Sequence, residues 1–145
     1  MRHKILVRTV LAALVVSAEL ASAQTVSKME PGTSLGSITL TRKVMADGQP
    51  LAAGTYQVRL TGELPTPGVG QSPDAAIYVE FMRAGRVAGR EVAVVVSNTD
   101  IGAIVKSPKP AVNGNRVELL KGNDYLRVWI HRGGNHYLIN MPTAA

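Results

Sequence analysis

Short runs in which apolar and polar residues alternate recur through most of this chain. Gly, Pro, Asn and Asp interrupt them about every ten to fifteen residues. Alternation with a period of two points one face of a strand at a core and the other at solvent, so it favours short antiparallel strands over helices. We predict an all-β fold, an antiparallel β-sandwich of about seven strands with one short helix; the pattern does not separate it from a closed barrel. The predicted strands are residues 36–42, 54–60, 76–82, 91–96, 116–120, 125–131 and 135–141.

The amino terminus has the composition of an export signal. A basic stretch at residues 2–8 precedes the apolar run Thr9–Ala18, and Ala21 and Ala23 place small side chains at the −3 and −1 positions of a cleavage site. The run is about half the roughly 20 residues that a membrane-spanning helix needs. We therefore predict a cleaved signal peptide at 1–23, a periplasmic or secreted protein, and no membrane span in the mature chain.

The length and composition bound the remaining organisation. The chain has 145 residues and no cysteine, so we expect one domain, at 35–142, after a flexible leader at 24–34, without disulfides or cysteine metal sites. Lys and Arg number 16 against 10 Asp and Glu, but the basic residues are scattered and not interleaved with aromatics, which argues against a nucleic-acid partner. The sequence shows no catalytic constellation, and we predict that the protein is not an enzyme.

The C-terminal segment predicts a hairpin whose register can be derived. A two-residue turn at Gly133-Gly134 supplies the positive φ angles that tight hairpins need. It pairs His131 with His136. One face of the hairpin is then entirely apolar or aromatic, and a slip of one residue would bring charged and polar side chains into it. That face consists of Leu126, Val128, Ile130, Tyr137, Ile139 and Met141.

The opposite face of this hairpin carries a candidate metal site. Directly opposed residues have Cβ atoms about 4.5–5.5 Å apart, close enough for the imidazoles of His131 and His136 to share a copper or zinc ion. Such a site usually needs a third ligand. The alternative is a solvent-exposed cross-strand pair with no cofactor.

The same face carries the candidate ligand-binding residues Tyr125, Arg127, Trp129 and Asn140. Trp129 and Tyr125 form a stacking platform for a glycan in one interpretation. In the other, Trp129 covers the second face of the sheet beneath a loop or the short helix, because large aromatic rings contribute most when buried.

Two connections are longer than the others. Residues 61–75 are rich in Pro and Gly and form a long loop, the kind of segment that is often functional, and we add it to the candidate binding surface. Residues 98–106 begin with Asn-Thr-Asp, which are helix-capping types, and predict a short helix with Ile101, Ile104 and Val105 on its inner face.

The stretch Asp47–Leu60, DGQPLAAGTYQVRL, resembles a turn-to-strand signature of small exported bacterial β-sandwiches. These include transthyretin-like and carboxypeptidase-regulatory-like domains. The resemblance implies an Ig-like or transthyretin-like sandwich that acts as an accessory, binding or adhesive module, and it supplies no catalytic position. We therefore expect an exported, non-enzymatic module that binds a protein or a small ligand, with periplasmic metal binding and glycan binding as alternatives.

Overall fold

The computed structural model describes residues 30–72 and 75–145, so the predicted signal peptide and most of the leader lie outside the described residues. The described part contains nine strands and one helix of a single turn. Their bounds are β1 Ser34–Leu40, β2 Val44–Ala46, β3 Gln49–Leu51, β4 Gly54–Leu60, β5 Ala76–Arg83, β6 Arg86–Ser97, α1 Ile101–Ile104, β7 Asn115–Leu119, β8 Tyr125–Arg132 and β9 Asn135–Pro142.

Seven of these strands form a single antiparallel sheet in the order β1-β4-β5-β6-β9-β8-β7. The sheet curls nearly into a barrel. Its two end strands approach each other where the Asn115 side-chain amide donates a hydrogen bond to the Ser37 carbonyl over 2.8 Å. The prediction of an all-β fold with seven main antiparallel strands is confirmed. The two packed sheets of a sandwich are replaced by one curved sheet, because pairing runs without a break from β1 to β7.

A small hairpin that the sequence analysis did not predict, β2–β3, is inserted between β1 and β4. Its turn is Asp47-Gly48, with φ angles of 46° and 76°, the positive values that Asp-Gly hairpin turns adopt. Both of its strands have three residues, too few for a measurable alternation. Its Val44 and Leu51 are fully buried and extend the core at one side of the curved sheet.

The interior is one continuous apolar cluster to which all the long strands contribute. The predicted inner face of the C-terminal hairpin lies in it without exception, as do Val58, Val79 and Phe81 from the opposite side. The inward residues of β1, β4, β5, β8 and β9 all face this one interior, which is what a curled sheet produces when every strand alternates. Val117 and Leu119 of β7 pack against its edge.

A second, smaller cluster lies on the outer face of the sheet. Residues 98–114, here called the cover segment, connect β6 to β7 and pack Ile101 and Val105 against this face. The predicted helix at 98–106 is shorter than expected, at Ile101–Ile104, and Ile104 is 58% exposed instead of facing inward. A single turn has room for only one inward apolar residue, and Val105 reaches the cluster from an extended backbone. The cluster consists of Val96, Ile101, Val105, Trp129 and Leu138.

The ends of the predicted leader and loop are bonded to the sheet. The Gly32 amide donates to the Leu60 carbonyl, and the Leu60 amide donates to the Thr33 carbonyl, so the described end of the predicted leader pairs with β4. At the start of the 61–75 loop, the Thr61 amide donates to the Tyr78 carbonyl, and the Tyr78 amide donates to the Glu63 carbonyl. Within residues 30–72 and 75–145, no helix has the length and hydropathy to cross a membrane.

Candidate functional site

The C-terminal hairpin has the predicted register at every pair. His131 is opposite His136, and the pairing continues from Arg132–Asn135 at the turn to Tyr125–Pro142 at the far end. Gly133 and Gly134 have φ angles of 61° and 78°, as the tight turn requires. The two histidines and Trp129 therefore lie together on the outer face, but all three are buried.

His136 makes hydrogen bonds with both of its ring nitrogens. Trp129 Nε1 donates to His136 Nδ1 over 2.8 Å, and His136 Nε2 lies 3.0 Å from the Asn98 amide oxygen. The indole N–H can only donate, so Nδ1 must be the bare acceptor and Nε2 must carry the proton that it donates to Asn98. The contacts thus fix one neutral tautomer of His136.

His131 stacks on His136 and binds the cover segment. The two ring centroids are 4.0 Å apart with 23° between the planes. His131 Nδ1 lies 3.3 Å from the Pro110 carbonyl oxygen, which can only accept, so this nitrogen carries a proton. The His131 amide also donates to the Gly114 carbonyl over 3.0 Å. Both imidazoles therefore hold down the same connection.

Burial lowers the pKa of His136 from 6.5 to about 4. Desolvation of the charged ring is the largest cause, and positive charge on His131 and on Lys109 adds to it. Lys109 lies on the cover segment. His136 is consequently neutral near pH 7, in agreement with the tautomer that its two hydrogen bonds require.

This geometry does not favour the predicted copper or zinc site at His131 and His136, which stays a prediction. Both nitrogens of His136 are engaged, and nearly parallel rings direct their in-plane lone pairs along separate planes and not toward one point. Among the described residues, no group of three or more His, Cys, Asp or Glu is arranged to hold a metal ion. The alternative of a solvent-exposed pair is wrong, since His131 is 8% exposed and His136 is fully buried.

The predicted ligand-binding face is divided by the cover segment. Trp129 is fully buried, so it takes the structural role beneath a loop and short helix, and its ring is not available as the glycan platform. Tyr125 is 46% exposed. Arg127 Nε donates to the Asn140 amide oxygen over 3.1 Å, and Arg127 Nη1 lies 3.8 Å from Glu118 Oε1. Three of the four predicted residues thus remain on the open part of this face, where Arg127 and Asn140 bind each other.

A surface cleft lies between the unpredicted β2–β3 hairpin and the first half of β6. Its volume is about 350 Å³, within the range of small-ligand pockets. The pairing of β5 with β6 slips by one residue at Ala88, which forms a bulge beside the cleft, and Val87 next to it is 52% exposed. Bulges often redirect side chains next to functional sites. The lining residues are Ala46, Asp47, Gln49, Val87, Ala88, Gly89 and Arg90.

Two charged residues of β6, Glu91 and Arg90, hold the walls of this cleft together. Glu91 accepts a hydrogen bond from the Asp47 backbone amide over 2.8 Å and so holds the β2–β3 turn against β6. Arg90 lies 3.9 Å over the Tyr78 ring and donates to Glu63 over 2.8 Å, while its Nε lies 3.5 Å from the Asp47 carboxylate. Arg90 thereby joins the long loop, β5 and the hairpin. The Asp47-Gly48 dipeptide is the one local signal that could have revealed this hairpin, and no local signal shows that it faces β6.

No family model, curated protein or solved structure matches this chain.

Proposed function

We propose that this protein is an exported, non-enzymatic module that binds a small ligand in the cleft between β2–β3 and β6. The observation that carries the proposal is the concave cleft of about 350 Å³ with both apolar and charged walls. Small-molecule sites are typically concave, largely apolar and provided with a few polar groups that orient the ligand. Export is supported by the signal-like composition of residues 1–23.

The walls of the cleft indicate the ligand chemistry. Val87 and Ala88 provide an apolar wall. Asp47, whose side chain is 50% exposed, and Gln49 line the cleft from the hairpin side. Arg90 is engaged by both Glu63 and Asp47, and the Asp47 side chain is the more exposed of the two charged groups in the cleft, at 50% against 37% for Arg90. A ligand with an amino or hydroxyl donor next to a short apolar group fits these walls.

The same walls argue for binding and not for catalysis. Among the described residues that line the cleft, none is a His, Ser, Thr, Cys or Tyr that could act as nucleophile or general base beside Asp47. A single half-exposed carboxylate can orient a donor group, but acid–base chemistry needs a second positioned group.

A thermal-shift screen tests this proposal, because a ligand that binds only the folded state raises Tm without any assumption about activity. The probes are the free amino acids, dipeptides with short apolar side chains, and monosaccharides. We expect at least one amine-bearing probe to raise Tm. Asp47→Asn should weaken the shift, since Asn tolerates the positive φ of this position while it removes the charge.

Blocking the cleft provides the second arm of the experiment. Ala88→Tyr places a large side chain in the cleft and should abolish the shift. Ala103→Tyr makes the same change at an exposed position of α1 and should leave the shift unchanged. No shift with any probe, or a shift that persists in both Asp47→Asn and Ala88→Tyr, would contradict small-ligand binding in this cleft and favour a protein partner.

A further inference from the structure

The cover segment is attached to the sheet mainly through the two histidines and one small apolar cluster. The Asn98 side-chain oxygen binds His136 Nε2, and the Asn98 backbone amide donates to the Gly134 carbonyl over 3.1 Å. Further along the segment, the carbonyl of Pro110 binds the His131 ring. Ile101 and Val105 pack over Trp129 between these two polar attachments.

Protonation of His136 is incompatible with this arrangement. The only free position for a second proton is Nδ1, the atom that accepts from Trp129 Nε1. A protonated Nδ1 would place two donors against each other and leave the indole N–H without an acceptor in a buried site. The positive ring would also lie 4.0 Å from the centroid of the His131 ring.

We propose that residues 98–114 are an acid-releasable cover, held on the outer face of β8 and β9 while His136 is neutral and detached from it when His136 takes up a proton. This inference is independent of the proposed ligand cleft, which lies on other residues. It assigns a conformational role to the histidine pair.

The arrangement of apolar residues allows the cover to detach while the curled sheet stays folded. The main core lies on the inner face of the sheet and includes neither histidine nor any residue of the cover segment. The outer cluster is separate and has five members, two of them on the cover itself. Segments with few buried contacts open locally at a lower free energy than the whole domain.

The charges around His136 act in the same direction. His131 on β8 and Lys109 on the cover segment both oppose a positive charge on His136, so by reciprocity a protonated His136 repels Lys109 and the segment that carries it. The other charged groups of the cover have local partners. Asp100 accepts from Ser97 Oγ over 2.9 Å, and Lys106 donates to the Gly102 carbonyl.

The size of the effect follows from the pKa of His136. If the ring returns to its ordinary pKa of 6.5 when the cover opens, and has a pKa of about 4 when the cover is docked, protonation shifts the docking equilibrium toward release. The shift is about 100-fold between pH 7 and pH 4, where half of the docked His136 rings would be protonated, and its limit well below pH 4 is about 300-fold, since each pKa unit is tenfold in this equilibrium.

Native-state hydrogen exchange measures this equilibrium directly, even where the released form is rare. The amides to follow are those of Asn98 and His131, which donate to Gly134 and Gly114 and lose these partners when the cover detaches. Exchange is recorded at pH 7 and pH 4 in low concentrations of urea and divided by the intrinsic rate at each pH. The amide of Leu60, bonded to Thr33 on the far side of the sheet, reports global unfolding.

We expect the cover amides to exchange through a local opening with little urea dependence, and this opening to become about 100-fold more populated at pH 4 than at pH 7. His136→Gln, which retains a neutral donor toward Asn98, should remove the pH response. Lys109→Gln should reduce the response, while Lys106→Gln should leave it unchanged. If His136→Gln does not fold, the comparison of the Lys109→Gln and Lys106→Gln variants still tests the proposal.

Three results would overturn the proposal. The first is that the cover amides share the opening free energy and urea dependence of the Leu60 amide at both pH values, which would mean that the cover detaches only when the whole domain unfolds. The second is a local opening that does not respond to pH. The third is a pH response that is the same in the wild type and in the His136→Gln and Lys109→Gln variants.

Discussion

Val128→Ala and Val94→Ala form a matched pair that tests which face of the curled sheet is the interior. Val128 lies in β8 and is fully buried, whereas Val94 lies in β6 and is 43% exposed. Both residues have a paired strand on each side: β7 and β9 for Val128, β5 and β9 for Val94. The loss of β-propensity on changing Val to Ala therefore contributes to both variants and cancels in their comparison.

The expected difference follows from burial. Removing two buried methyl groups at Val128 costs about 1.6 kcal/mol at roughly 0.8 kcal/mol per group, and the cavity left in a close-packed core brings the loss to about 2–3 kcal/mol. At Val94 much of the side chain is already hydrated, and the loss should stay below about 1 kcal/mol.

Urea unfolding at pH 7 measures both variants against the wild type. The chain contains a single tryptophan, the buried Trp129, so its fluorescence reports unfolding without interference, and far-UV circular dichroism provides an independent signal. A difference of less than about 0.5 kcal/mol between the two variants, at unchanged m-values, would refute the assignment of inner and outer faces.

Three further predictions concern the histidine pair and its turn. The contribution of His136 to the free energy of unfolding should be constant above about pH 6.5 and fall by about 3 kcal/mol toward pH 4, because the unfolded chain binds a proton at His136 that the native state excludes. Urea titrations at each pH measure this fall, and in His136→Gln the part of it due to that residue should vanish. Gly133→Val should lower Tm by several degrees, since a β-branched residue resists a φ of 61°, and an unchanged Tm would argue against the tight turn. Zn²⁺ and Cu²⁺ should not raise Tm; a rise that is lost in the His131→Ala/His136→Ala double variant would restore the metal-site hypothesis.

Local sequence was sufficient for the C-terminal hairpin. Its two strands are adjacent in the chain, the Gly133-Gly134 turn sets the offset between them, and alternation leaves only one register with an apolar inner face. The same reasoning located β4, whose observed bounds are the predicted ones, and missed β2–β3 because strands of three residues carry no periodic signal.

The candidate sites depended on contacts that are distant in sequence. The position of His131 opposite His136 was predictable from the hairpin register. The partner of His136 Nε2, however, is Asn98, 38 residues earlier, and the cover segment that buries the pair begins at that residue. Tetrahedral metal geometry needs lone pairs that converge, and only the stacking of the two rings showed that they do not. The cleft likewise requires an Asp-Gly turn to face a bulge about 40 residues further along the chain, which no local pattern encodes.

The sequence by itself determined the all-β character, the number of main strands and which side chains of the C-terminal hairpin point inward. These properties arise from a period of two and from turn residues, both of which act between near neighbours. Only the tertiary structure decided that the seven strands form one curled sheet, that Trp129 and both histidines lie beneath residues 98–114, and that a cleft opens beside β6. The outer face of a strand can meet solvent or another segment with the same alternation, so which of these occurs depends on where a distant connection returns to the sheet.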